Sequence, residues 1–243
     1  MPVPYLLIST PPHGDVDAKI AAEAFELSAA EARIRANFPS PNIWFADHDL
    51  DALKKTGGTL MKAGVKVRII KGSIMAAIPR ADPITSFAFG PDRFTAQLHS
   101  SDEFTAPYDT RLVIVASKGN PEDAMATSSG IPNTLDDALF FDLYFVVQSK
   151  VRRLRAWSGG VDYAGLETAL KPVAHQNHSE FLNQLRHRFP QAAVDERLVD
   201  TPPPKPSAIS GKGLPAVLES IHPDLKDIMM GDLRSRLVFL SLL

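Results

Sequence analysis

The chain has 243 residues, enough for one large domain or two modest ones, and its 44% hydrophobic content is ordinary for a globular protein. A net charge of −2 argues against whole-surface attraction to nucleic acid or anionic membranes, so no nucleic-acid partner is expected. With no cysteine, disulfides and thiolate chemistry are excluded, which fits a cytoplasmic protein; the N-terminus lacks signal-peptide character and no apolar run reaches the length of a membrane span.

Tyr5 to Ile8 reads as a buried strand. His13–Gly14–Asp15 then lies between a strand and a helix, an anion-binding position in principle, though Asp15 as an N-cap is the simpler account. Val16 to Phe38 reads as two short helices. Ile20, Ala24 and Leu27 form one apolar stripe, and Ala32, Ile34 and Phe38 continue it out of phase. The break falls at Leu27–Ser28, where Ser28 and Glu31 have capping-box spacing.

Ile43 to Phe45 is the next strand, and Asp47 and Asp49 offer caps to the helix that follows. Within that helix Leu50, Leu53, Gly57, Leu60 and Met61 are expected on the inner face, with Lys54, Lys55 and Lys62 elsewhere. Gly64 sits where a left-handed cap would form, and Val65, Val67 and Ile69 alternate as a half-buried strand. A helix joining two strands this closely implies a right-handed parallel crossover. The acids Asp47, Asp49 and Asp51 around His48 do not make a calcium loop: Ala52 stands where glycine is needed and Gly58 where a bidentate glutamate is needed.

This order of elements, with SAAEARIRANFP on the second helix and LMKAGVKVRII closing the unit, resembles the C-terminal domain of the bacterial ribosomal stalk protein. The resemblance covers roughly the first third of the chain and implies that domain's fold. In that family a basic, glycine-containing start to the second helix helps recruit translation factors. The matching stretch here, FELSAAEAR, has neither the glycine nor the lysines, so the activity is not carried over.

Ile74 to Ile78 leads into Pro79 and Pro83, read as a linker. Ser86–Phe89, Arg93–His99, Glu103–Tyr108 and Arg111–Ser117 then follow as short strands separated by turns. Lys118 to Asp136 reads as a long loop or insertion. Leu139–Val147 and Lys150–Trp157 form a hairpin around Gln148–Ser149. His175 to Phe189 is a helix with an apolar stripe of Phe181, Leu182, Leu185 and Phe189. A meander closed by one helix resembles a pleckstrin-homology-like domain in element order alone. Thr201 to Pro206 is a stiff linker; Leu214–Ile221 and Leu225–Met230 are short helices, and the chain ends in RLVFLSLL.

The fold class is therefore α+β: a β-α-α-β-α-β module over residues 1–79, an antiparallel β-rich module closed by a helix over 80–199, and a proline-rich linker with a helical, apolar-ended segment over 200–243. No P-loop, GxGxxG or GxSxG occurs; the Gly211–Lys212–Gly213 stretch fails at Pro206 and Gly213. Three groups remain as candidate sites. Lys150, Arg152, Arg153 and Arg155 are the densest basic cluster and could hold a phosphate or phospholipid headgroup, but alternation puts Arg153 and Arg155 on one face and Arg152 on the other. His175 and His178, with Asp142 or Asp162 from the sheet, could make a metal-dependent enzyme, although exposed positions at a helix start explain the histidines as well. Leu237, Val238, Phe239, Leu240, Leu242 and Leu243 must be covered, either by the chain's own core or by a protein partner or second copy. Since no nucleophile, base and orienter cluster in the sequence, the preferred reading is a non-catalytic binding or adaptor protein that needs no cofactor.

Overall fold

The structure is a computed structural model that describes residues 3–11, 13–25, 27–119, 138–148, 150–200, 214–225 and 230–243. It is a mixed α+β chain forming two compact units, one built from the residues up to Ala77 together with the C-terminal helices, the other from Ile78–Asp200.

The first unit contains β1 (Tyr5–Ser9), α1 (Ala18–Glu23), α2 (Ala29–Ala36), β2 (Ile43–Asp47), α3 (Leu50–Lys62), β3 (Val67–Lys71) and α4 (Gly72–Ala76), followed late in the chain by α6 (Leu214–Ile221) and α7 (Met230–Leu242). Its sheet has the order β2-β1-β3, with β1 antiparallel to both neighbours. β2 and β3 therefore run parallel, but β1 lies between them, so the β2-α3-β3 crossover steps over a central strand. Leu7, Trp44, Val67 and Ile69 join Leu53, Leu60 and the alanines of α1 and α2 in one core. Arg68 and Ile70 alternate to the other face, where the Arg68 Nη1 group donates to the Leu240 carbonyl at 3.0 Å and so puts α7 against that face.

Caps fix the helix starts. Asp17, rather than Asp15, accepts from the Lys19 and Ile20 amides and caps α1; Asp15 lies too far upstream to reach them. Ser28 and Glu31 form the reciprocal capping box at α2, and Asp49 caps α3 while Asp47 accepts from the Asp49 amide. Gly64 ends α3 region geometry with φ of +85°, and a Cβ there would sit 2.1 Å from the Asp15 carbonyl oxygen.

The second unit is a seven-stranded sheet of β4 (Asp82–Phe89), β5 (Arg93–Leu98), β6 (Glu103–Pro107), β7 (Arg111–Gly119), β8 (Ala138–Val147), β9 (Lys150–Trp157) and β10 (Ala193–Leu198), ordered β10-β7-β8-β9-β4-β5-β6. Pairing is antiparallel except at β10–β7 and at a two-residue contact of β4 with β9. A 3-10 segment (Tyr163–Ala169) and α5 (Ala174–Arg188) connect β9 to β10. Phe181, Leu182, Leu185 and Phe189 pack onto Phe87, Phe94, Phe141 and Phe145 of the sheet, the stripe that the helical period implies. Phe181 and Phe87 lie with ring centroids 4.3 Å apart. Positions 120–137, 201–213 and 226–229, including most of the expected insertion, the TPPPKP linker and Gly211–Gly213, lie outside the described residues.

Candidate functional site

Strand β8 divides the polar residues of the second unit between its two faces. Phe141 and Asp142 are neighbours in sequence, so their side chains point to opposite sides of the sheet. The pairing of Val147 with Lys150 at the end of the hairpin sets the register, bringing Asp142 opposite Arg155 and Tyr144 opposite Arg153. Gln148 reaches this tight hairpin with a φ of 48°.

On the Asp142 side the carboxylate is fully buried and receives hydrogen bonds from two arginines. Arg153 donates from Nη2 to Oδ2 at 2.8 Å, and Arg155 donates from Nε to Oδ1 at 2.6 Å and from Nη2 to Oδ2 at 2.8 Å. The Arg153 guanidinium also lies 5.1 Å from the Tyr144 ring centroid, and that of Arg155 lies 5.8 Å from Phe140. Such a cluster is held by mutual dependence: removing one member leaves a buried charge uncompensated, at a cost of about 3–5 kcal/mol. Arg152 lies on the opposite face near the hairpin end of β9, where it is exposed and pairs with Asp82 at 2.8 Å, and Lys150 is exposed as well. The four basic residues are thus split as alternation implies, with two buried against a carboxylate and two at the surface. Asp195, two strands away in the same row, is bound by Arg197.

On the Phe141 side lies His178. Its ring is fully buried and stacks on Phe141 with centroids 4.0 Å apart and planes 4° from parallel. Its Nδ1 shares a 2.7 Å hydrogen bond with the Tyr163 hydroxyl, which lies 3.5 Å from the Ser158 carbonyl. Nε2 is buried and has no hydrogen-bond partner among the described residues. Burial holds the imidazole neutral, pushing its pKa down to about 3, and it pushes the Tyr163 phenol up.

These positions do not bring the sequence-derived metal ligands together. His175, one turn before His178, is exposed while His178 is buried. Asp142 is across the sheet and already holds two guanidiniums, and Asp162 accepts from the Ala164 amide as the cap of the 3-10 segment. Among the described residues no group of three or more His, Asp or Glu side chains is arranged to hold a metal ion. Tyr163 was not singled out by sequence. The Asp142 cluster was legible in part: a lone aspartate in an apolar strand, opposite an arginine-rich strand, with a two-residue turn that fixes their register.

The apolar terminus is also accounted for. Every residue from Leu233 to Leu240 is buried, so Leu237, Val238, Phe239 and Leu240 are covered by the folded chain; Leu242 is half-buried and Leu243 is exposed. Arg236 pairs with Asp232 at 2.9 Å and reaches the Met75 carbonyl, while Arg234 lies 5.4 Å from the Phe38 ring centroid with its pKa pushed down to about 10 by burial.

Large apolar side chains are exposed at several places, Ile74, Leu170 and Val173 among them, but the two most exposed among the described residues, Ile34 and Met61, are on the N-terminal helices. In α1 and α2 the buried side consists of Ala18, Ala21, Ala22, Ala32 and Ala36, whereas Ile20 and Ile34 point away from the core. In α3, Leu53, Gly57 and Leu60 are buried and Met61 is not: Ile34 is 61% exposed and Met61 is 60% exposed. Phe45, on the outer strand β2, is also exposed. No protein-family model, curated protein or solved structure matches the chain.

Proposed function

We propose that the protein is a non-catalytic binding or adaptor protein that acts through protein–protein contacts made by its N-terminal helices. The observation behind this reading is the apolar pattern of the N-terminal helices: α1 and α2 turn alanines inward while Ile20 and Ile34 face solvent, and in α3 Met61 faces solvent beside the buried Leu53 and Leu60. Helices with only an internal role gain most by burying their largest apolar side chains, each worth about 1.5–3 kcal/mol. Leaving isoleucine outside and alanine inside is favourable when a second molecule covers the outside. The groups best suited to chemistry support the same reading, because each already has a structural partner: Asp142 holds two arginines, and His178 is joined to Tyr163 and stacked on Phe141.

Affinity capture from native lysate with wild type and Ile34→Asp tests the proposal. Wild type should recover a stoichiometric protein partner or a second copy of itself. The variant should lose it while its thermal midpoint stays within a degree or so, because the position is exposed. Capture that is absent in both, or equal in both, would contradict the reading.

A further inference from the structure

We infer that the exposed face of α3 is a docking surface for an acidic segment of a partner protein, an inference that rests on the binding reading above. At 3.6 residues per turn, Lys54, Lys55, Gly58, Met61 and Lys62 share an arc of roughly 120° on the side away from Leu53 and Leu60, with Asp51 as the one acid on it. All three lysines and Met61 are exposed. At the centre is Gly58. A Cβ added there would meet nothing within 4 Å, whereas one added at the adjacent Gly57 would lie 3.3 Å from Leu7 Cδ1 and 3.7 Å from Val67 Cγ2. The fold therefore explains Gly57 and gives no reason for Gly58, although glycine inside a helix is unfavourable relative to alanine. Close approach by another backbone supplies that reason.

What surrounds the gap indicates the visitor. Lys55 and Lys62 are in no ion pair among the described residues, and Lys54 reaches Asp51 at 2.9 Å in a pair exposed at both ends, which is easily exchanged. Carboxylates seated over Gly58 would receive charge-assisted bonds from these lysines, and an apolar residue beside them would cover the adaptable thioether of Met61. A merely solvated lysine face accounts for the lysines but for neither Gly58 nor an outward Met61. This face belongs to the third helix, not to the second-helix start at which the stalk-protein family recruits its factors.

The test replaces Met61 with photo-reactive benzoylphenylalanine in the full chain, irradiates it in native lysate and identifies the attached molecule. The inference expects a protein segment rich in Asp and Glu. Its yield should fall at least tenfold in K55E/K62E, and also in Gly58→Gln even though that substitution raises the thermal midpoint by removing a helix-interior glycine. Attachment to lipid or nucleic acid, a segment without acidic residues, no attachment, or a yield unchanged in both variants would overturn it. If Ile34→Asp loses the captured partner while the α3 variants keep it, the binding reading stands and this site falls; if no variant loses it, both fall.

Discussion

His178 is a fully buried imidazole with one hydrogen-bond partner and no acidic neighbour to favour its charged form; desolvation alone lowers its pKa. Whichever way the proton shared with Tyr163 points, Nε2 has no hydrogen-bond partner among the described residues. An imidazolium would need acceptors at both nitrogens, and among the described residues only Tyr163 offers one. The folded state therefore binds this proton near pH 3, while the unfolded chain binds it near the ordinary value of 6.5. Stability from the neutral ring is present above about pH 6.5 and is lost as pH falls below it, by about 1.4 kcal/mol per unit. Between pH 7 and pH 5 the unfolding free energy should drop by about 2 kcal/mol more in wild type than in His178→Phe, as read from urea titrations. Parallel pH profiles would show that His178 is not the linked group. Glu167 offers a second single-residue test, since its φ of 50° and ψ of −117° suit glycine far better than a side chain, and its own side chain is exposed. Glu167→Gly should raise stability by about 1 kcal/mol, visible as a higher denaturant midpoint at unchanged slope. A lower midpoint would mean that the carboxylate contributes more than the strained backbone costs.

At the scale of elements, the sequence is readable where period and punctuation agree. Strands β5 to β9 are apolar-rich runs set apart by turn residues or by the polar sequence of positions 120–137, and α5 carries an unbroken stripe, so these fall close to their expected positions. β10 was not anticipated because AVDERL is short and carries Asp195, Glu196 and Arg197 over half its length. The helix α4 follows β3 without a break: Gly72 fits there because a Cβ would lie 2.6 Å from the Pro4 carbonyl oxygen, a contact invisible in sequence. The phase of α1 and α2 went astray for a more general reason. Apolar periodicity assumes that the largest side chains face inward. Where two short helices pack closely through alanines, the small residues face inward and the isoleucines are left outside. Met61 deceived in the same way, one position past Leu60 and about 100° around the helix. The residues that mislead a periodicity reading are therefore the ones that define the proposed contact face. The metal reading of His175 and His178 failed on geometry that spacing does not carry. A three-residue separation puts two side chains on neighbouring parts of a helix, yet one can be inside and the other outside at the edge of the buried stripe.

For the molecule as a whole, the C-terminal helix decides which surfaces are left for partners. Leu237–Leu240, in the later turns of α7, are apolar all the way round the helix, and such a stretch is stable in water only when surrounded. Burial from Leu233 to Leu240 makes it part of the fold, with Arg68 and Arg236 anchoring it to carbonyl groups of α7 and of α4. A terminus of this composition is thus internal, and the proposed contact face moves to α1–α3 at the other end of the sequence. The most direct measurement is equilibrium unfolding of a chain truncated after Arg236. Leu237, Val238, Phe239 and Leu240 together contribute about 6–12 kcal/mol by burial, comparable to the whole stability of a typical domain. The truncated chain should therefore lose cooperative unfolding of the unit that contains β1–β3 and α7. A truncated chain that keeps the wild-type midpoint and slope would contradict the account and return the apolar terminus to the list of partner surfaces.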